Sequence, residues 1–447
     1  MKSLRIHVRE TARLAYPVSI GQIGYIMMGV VDSAMVGQIG YDYLAAASLA
    51  NGIFFLTLVV GVGISNAVTP LVAISIGANR REEHEDLFKN SFYINLISGI
   101  ALSSFTFLLA EGIALLNQPK EVVELAIPYT KILGVSLIPI MIFQSYKQFI
   151  EGMSIVRPAM VITLLANIVN AASNYIYIYG NFGFPRMELN GAGLATFTSR
   201  TFMLVLLIYF LKRKPLKFNT KFNIIPFSVN KIIVKKLLSI GIPSGLQFFF
   251  EAGAFTFAAF MIGWLGSKDL AAHQIAITIA SITYMIVLGI STSSAIRVVN
   301  AVGAQSISET RRAGFAALLM GGIVMLFFAL NFILLNQLLP KLFVNEFEVL
   351  ELAASLLIIA AFFQLFDGVQ AVGLGILRGL TDVKFPTAVT FFSYWIIGIP
   401  FGYYLGFGME LGVVGVWIGL SVGLATSASL LTFRFNAKSK RQIHQNR

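Results

Sequence analysis

Cysteine is absent from the chain, which removes disulfides, thiolate metal sites and cysteine nucleophiles from consideration. Charge is scarce too: 12% of the 447 residues are Asp, Glu, Lys or Arg, about half the share in an ordinary soluble domain. Histidine occurs four times, at His7, His84, His273 and His444, with no HExxH or other histidine-rich metal spacing. No Walker A loop occurs, so ATP does not drive this chain directly. Gly61-Val62-Gly63 opens a GxGxx run, but inside an apolar stretch where it cannot form a nucleotide turn. The N-terminal segment MKSLRIHVRETARLAYP is basic but has no short apolar core ending in a small-residue cleavage site, and no cleaved signal peptide is expected. No catalytic centre emerges, and the chain is not expected to be an enzyme.

What is abundant is hydrophobic sequence: 57% of residues, with a mean hydropathy of +0.79. The apolar runs are continuous rather than alternating, which excludes a β-barrel and points to an all-α polytopic membrane protein. At about 20 residues per crossing the length accommodates roughly a dozen helices. Hydropathy places them near 12–37, 46–76, 88–116, 122–149, 158–180, 190–211, 236–264, 271–300, 311–338, 349–376, 385–406 and 411–433. With both ends on one side, 27 of the 33 Lys and Arg fall on that side. By the positive-inside rule both termini and the central connection are cytoplasmic, and the net charge of +12 reflects topology rather than nucleic-acid binding.

The chain repeats itself. Pro17, Gly37, Gly40, Leu44-Ala45-Ala46 and Gly77-Ala78 recur as Pro243, Gly263, Gly266, Leu270-Ala271-Ala272 and Gly303-Ala304, every pair 226 residues apart. Two six-helix lobes of the same orientation follow, related by an axis along the membrane normal. The expected division is an N-terminal lobe 1–211, a cytoplasmic linker 212–235, a C-terminal lobe 236–435 and a basic tail 436–447. Gly415, Gly419 and Gly423 form a small-residue face, read as close packing of the last span within the chain rather than a dimer contact.

Acids inside the spans are the strongest functional signal, because a carboxylate at the bilayer centre costs roughly 2.5 to 3.5 kcal/mol on insertion scales. Asp32 lies in the first span. Asn170 and Asn174 share a face of the fifth, and Thr196 lies in the sixth. Counting at the helical rise puts Asp32, Asn174 and Thr196 at a common depth of about 8 to 9 Å from the outer ends. One carboxylate with amide and hydroxyl oxygens suits a hard cation such as Na+. The same asparagines equally suit interhelical hydrogen bonding.

Glu251 and Asp367 lie roughly 22 and 15 Å deep in the seventh and tenth spans. Two carboxylates in a poorly hydrated cavity cannot both ionise cheaply, which is chemistry for exchanging a proton or sodium ion against an organic cation. Blander roles are expected elsewhere. Glu151 and Arg157 read as an interfacial pair, and Arg297 and Arg378 as snorkelling side chains at inner span ends. Arg200 is deep enough to balance an acid, and His273, in LAAHQIAI, reads as a hydrogen-bonding structural histidine. Tyr25, Phe248, Phe249, Phe250, Phe363, Tyr394 and Trp395 read mostly as core or lipid-facing, with a few available for cation-π contacts.

The duplicated twelve-span plan, VVDSAMVGQIGYDYLAAAS, PLVAISIGA, the EGM after the fourth span, LAAHQIAI and ILRGLTDVKFP resemble the multidrug and toxic compound extrusion (MATE) family, nearest its NorM-like branch. The resemblance spans nearly the whole chain. With no cofactor and a monomer in the bacterial inner membrane expected, the resemblance implies two pseudo-symmetric six-helix bundles around a V-shaped cavity, with toxic organic cations exported against Na+ or H+. It also implies that Asp32, Asn170, Asn174 and Thr196 match an N-lobe cation site and Glu251 and Asp367 the C-lobe acids. Phe363 stands where some relatives carry a tyrosine, and His273 matches the family pattern. Na+ is the expected coupling ion. The alternatives are a proton-coupled exporter of the same fold and a flippase for a lipid-linked sugar. A flippase requires a cationic cleft for pyrophosphate, whereas acids occupy that depth here.

Overall fold

A chain that must satisfy every backbone polar group without water folds into helices, and the computed structural model is helical throughout, with no strand among the described residues. It describes residues 4–78, 80, 82–115, 118–213, 229–344 and 346–445. Among the described residues, twelve helices are long and apolar enough to cross a membrane: α1 (Leu4–Gly37), α2 (Tyr41–Gly77), α3 (Glu83–Leu115), α4 (Lys120–Gly152), α5 (Arg157–Tyr177), α6 (Glu188–Arg213), α7 (Lys231–Leu265), α8 (Ser267–Gly303), α9 (Ile307–Leu334), α10 (Phe347–Gly379), α11 (Lys384–Gly408) and α12 (Gly412–Lys440). Even the shortest, α5 with 21 residues, reaches about 30 Å at the helical rise, the thickness of the hydrocarbon core.

Packing divides the chain into two compact units, one of residues 20–245 and one of residues 1–19 with 246–447. The sequence places the division between helices, at 212–235, of which 214–228 lie outside the described residues. The packing units instead change over inside α1, after Ser19, and inside α7, after Gly245. These two points are again 226 residues apart, each just beyond Pro17 or Pro243, so the repeat extends to the way the chain packs. The segment expected as a basic tail is helical as far as Gln445.

The helices break where the sequence removes or diverts a backbone bond. In unit 20–245, α2 breaks at Asn66-Ala67, and α4 breaks at Ser136, whose hydroxyl donates to Leu133 O at 2.6 Å three residues ahead of Pro139. A Cβ on Gly63 would sit 2.5 Å from Gly245 Cα, so α2 and the first part of α7 touch backbone to backbone there. In the other unit, α11 winds into π turns at Phe392–Gly398 and Tyr404–Gly408, on either side of Pro400. The Gly415, Gly419 and Gly423 face packs within the chain, against Gly406, Gly402 and the Ser393 to Gly398 segment of α11. Trp417, Tyr394 and Phe363 lie in the apolar core that results.

Candidate functional site

In unit 20–245 the structure brings together Asp32, Asn174 and Thr196, which the depth arithmetic singles out, and Asn170, which shares a helix face with Asn174. Asp32 is only 7% exposed. Asn174 Nδ2 donates to its Oδ1 at 2.6 Å and Thr196 Oγ1 donates to its Oδ2 at 2.9 Å. Asn170 Oδ1 stands 3.4 Å from the same Asn174 nitrogen. This leaves Asn174 Oδ1 and Asn170 Nδ2 buried and without a hydrogen-bond partner. A buried polar atom in that state costs about 1 to 3 kcal/mol. An amide rotation at Asn174 presents its oxygen where its nitrogen now stands, converting a donor set into a cation-accepting one.

No basic side chain lies within salt-bridge distance of Asp32 among the described residues. Arg200, one turn from Thr196 on α6, acts on Asp32 only through its field. Its guanidinium instead stacks 4.6 Å from the centre of the Phe54 ring and donates to Ser136 Oγ.

The second cluster lies in the other unit. Glu251 on α7 and Asp367 on α10 are both buried and within electrostatic reach of each other. Glu251 Oε1 accepts from Tyr284 Oη at 3.1 Å and Gln370 Nε2 at 3.4 Å, and Tyr394 Oη donates to Gln370 Oε1 at 2.8 Å. Tyr394 thereby fixes which end of the Gln370 amide faces Glu251. Glu251 Oε2 has no hydrogen-bond partner. Tyr284 and Gln370 were missed in the sequence, although Gln370 stands three residues from Asp367 on the same helical face.

The weaker candidates sit elsewhere in that unit. Phe363 packs its ring against Phe255 and Trp417, with centroids 5.9 and 5.8 Å away. His273 accepts a hydrogen bond from Trp417 Nε1 on Nδ1 at 3.1 Å, which puts its own proton on Nε2 and matches the structural role expected of it.

Three expectations are corrected. Arg378 does not snorkel: it is 8% exposed, in a stretch from Gln370 to Gly379 that is buried throughout. Its guanidinium lies 5.4 Å from the centre of the Phe248 ring. Arg297 does not snorkel either, but is held at 2.8 Å by Glu10 Oε2, by His7 Nδ1 and by Thr11 Oγ1. Glu151 pairs with Lys147, 3.7 Å away and one turn earlier on α4, instead of with Arg157.

Comparison with known proteins agrees with this architecture. The MatE family model matches residues 17–176 and again 243–404, two segments whose starts are the repeated prolines. The chain is 36% identical to a probable multidrug resistance protein NorM of Rhodopseudomonas palustris, over 97% of this chain and 92% of that one. It is 31% identical to the multidrug resistance protein NorM of Photobacterium profundum, over 97% and 96% of the two chains. A crystal structure of a MATE protein in the bent conformation superposes with a TM-score of 0.89, covering 100% of this chain and 99% of that one at 21% identity.

Proposed function

Because the chain belongs to the MatE family, we propose that it is a multi-pass secondary exporter that moves organic cations and drugs out of the cell in exchange for Na+ by alternating access. The observation that carries the reading is the Asp32 cluster: a carboxylate free of any salt bridge, ringed by Asn170, Asn174 and Thr196, with two unpartnered amide atoms beside it. Neutral oxygens are what a bare sodium ion needs in place of its hydration shell, whereas a proton needs only one acceptor. The Glu251 and Asp367 pair supplies negative charge for an organic cation, with the Tyr284 and Tyr394 rings close by. If the ion weakens drug affinity, the drug weakens ion affinity by the same factor.

The lysine and arginine distribution supports cytoplasmic termini, and the bacterial relatives support an inner-membrane location. The use of its glycine face inside the chain supports a single working copy. The test is drug efflux from proteoliposomes under separately imposed gradients. Replacing Na+ with choline at fixed pH is expected to stop efflux. Efflux that persists and follows a pH gradient would assign the coupling to protons.

A further inference from the structure

Lys147 and Glu151 are charged, buried and unused by the reading above. They occupy the last turns of α4, at 7% and 2% exposure, with Lys147 Nζ 3.7 Å from Glu151 Oε1. That separation makes a loose ion pair, and the ammonium lies 5.5 Å from the centre of the Tyr25 ring on α1. A buried pair of this kind gives little net stability over apolar residues of the same size, so its presence calls for another cause.

The surroundings supply one. The Tyr25 hydroxyl is buried beside Thr163 on α5. From Thr163 a polar stripe climbs the same helix face through Asn167 and Asn170 to Asn174, which touches Asp32. Asn167 spans the two helices, donating to Gly24 O at 3.0 Å and Thr163 O at 2.9 Å. Along the stripe Asn167 Oδ1, Asn170 Nδ2 and Asn174 Oδ1 are buried without partners. Tyr25 and Asp32 are seven residues apart, so the stripe covers about 10 Å of helix.

Among the described residues, neighbouring helices contribute the following groups. Tyr25 comes from α1, and Arg200 on α6 acts on Tyr25. From α2, Asn66 and Thr69 are neutral and engaged with Gln148. From α3, Lys89 is paired with Glu85 at 2.9 Å.

We propose that Glu151 is an exit station for the coupling cation, reached from Asp32 along the Asn174, Asn170, Asn167 and Tyr25 path, and that Lys147 is its tethered competitor. A cation descending the stripe occupies Glu151 while the Lys147 ammonium withdraws over the Tyr25 ring. Return of the ammonium to Glu151 ejects the cation toward the cytoplasmic end of α4. No bond beyond those to the cation forms or breaks; the Lys147 and Glu151 pair is neutral before and after, and holds one net positive charge while the cation is bound. The proposal rests on Asp32 being the loading site.

The experiment uses the full chain in proteoliposomes with tetraphenylphosphonium as the organic cation, comparing two rates. Net efflux under an ion gradient requires the coupling ion to unload, whereas exchange of labelled for unlabelled tetraphenylphosphonium does not. For Glu151→Gln, net efflux is expected to fall by about tenfold or more while exchange stays within about twofold. Lys147→Met with Glu151→Gln, which removes the pair without leaving a lone buried charge, is expected to stay impaired in net efflux. Lys147→Arg is expected to keep part of it. Wild-type net efflux in Glu151→Gln, restored net efflux in the double variant, or loss of exchange together with net efflux would each mean that the pair serves packing and overturn the proposal. Asp32→Asn runs alongside: if that variant keeps normal net efflux, the loading site is misassigned and the proposal fails at its origin, a different outcome from failure at Glu151.

Discussion

Replacing Asp32 with Asn removes the single formal charge of its cluster and leaves a side chain of the same shape. The carboxylate now accepts from Asn174 and Thr196. An amide at position 32 still accepts from one of them through its oxygen, and its nitrogen can donate to Asn174 Oδ1, which has no partner. The fold is therefore expected to survive. What is lost is Coulombic attraction for a bound cation, about 4 kcal/mol at 4 Å with an effective dielectric constant near 20. At about 1.4 kcal/mol per tenfold, the coupling-ion affinity is expected to drop by roughly a thousandfold. The measurement is the Na+ concentration that half-saturates drug efflux in proteoliposomes, with melting temperature recorded in parallel. Failure to saturate at any accessible Na+ concentration, with an unchanged melting temperature, is the expected result. A half-saturating concentration within about tenfold of wild type in a well-folded variant would refute the argument, because the carboxylate charge would not be what holds the ion.

Two further outcomes follow from particular contacts. A Cβ on Gly419 would lie 2.2 Å from Gly402 Cα and 2.3 Å from Gly402 N, so Gly419→Val must force α11 and α12 apart. It is expected to destabilise the protein by about 3 kcal/mol or more, read as a lower melting temperature in detergent, and an unchanged one would contradict the intramolecular packing. Tyr394→Phe removes the hydroxyl that orients the Gln370 amide toward Glu251. Losing about 1 kcal/mol there is expected to weaken equilibrium binding of an organic cation about fivefold, and undiminished binding would detach this network from the substrate.

The Asp32 cluster is legible in the sequence because depth is a one-dimensional quantity. Residue count from a span end fixes height, and the i, i+4 spacing of Asn170 and Asn174 fixes their common face. Glu251 and Asp367 were legible for the same reason, as acids in apolar runs that are too long to be anything but membrane spans. Their hydrogen-bonding partners were not. Tyr284 and Gln370 lie on different helices, and their convergence on Glu251 depends on how α8 and α10 are rotated against α7. Arg378 was misread because the test for snorkelling is whether the side chain reaches an interface, and here it is buried. Lys147 was counted only as part of the topological charge, since nothing in its sequence neighbourhood distinguishes a lysine at an interface from one folded back over a tyrosine ring.

Sequence alone determined that this is a helical membrane protein of twelve spans, that it is one plan used twice, and at what heights its costly polar groups lie. Each of these follows from the order of residues along a line: hydropathy, a constant offset of 226, and 1.5 Å of rise per residue. Tertiary structure alone decided which polar groups meet, that Arg297 and Arg378 are held inside, that Glu151 answers to Lys147, and that the two packing units change over within α1 and α7. Those facts depend on the rotation of each helix about its own axis and on how closely glycines let backbones approach, and neither is written in height along a helix.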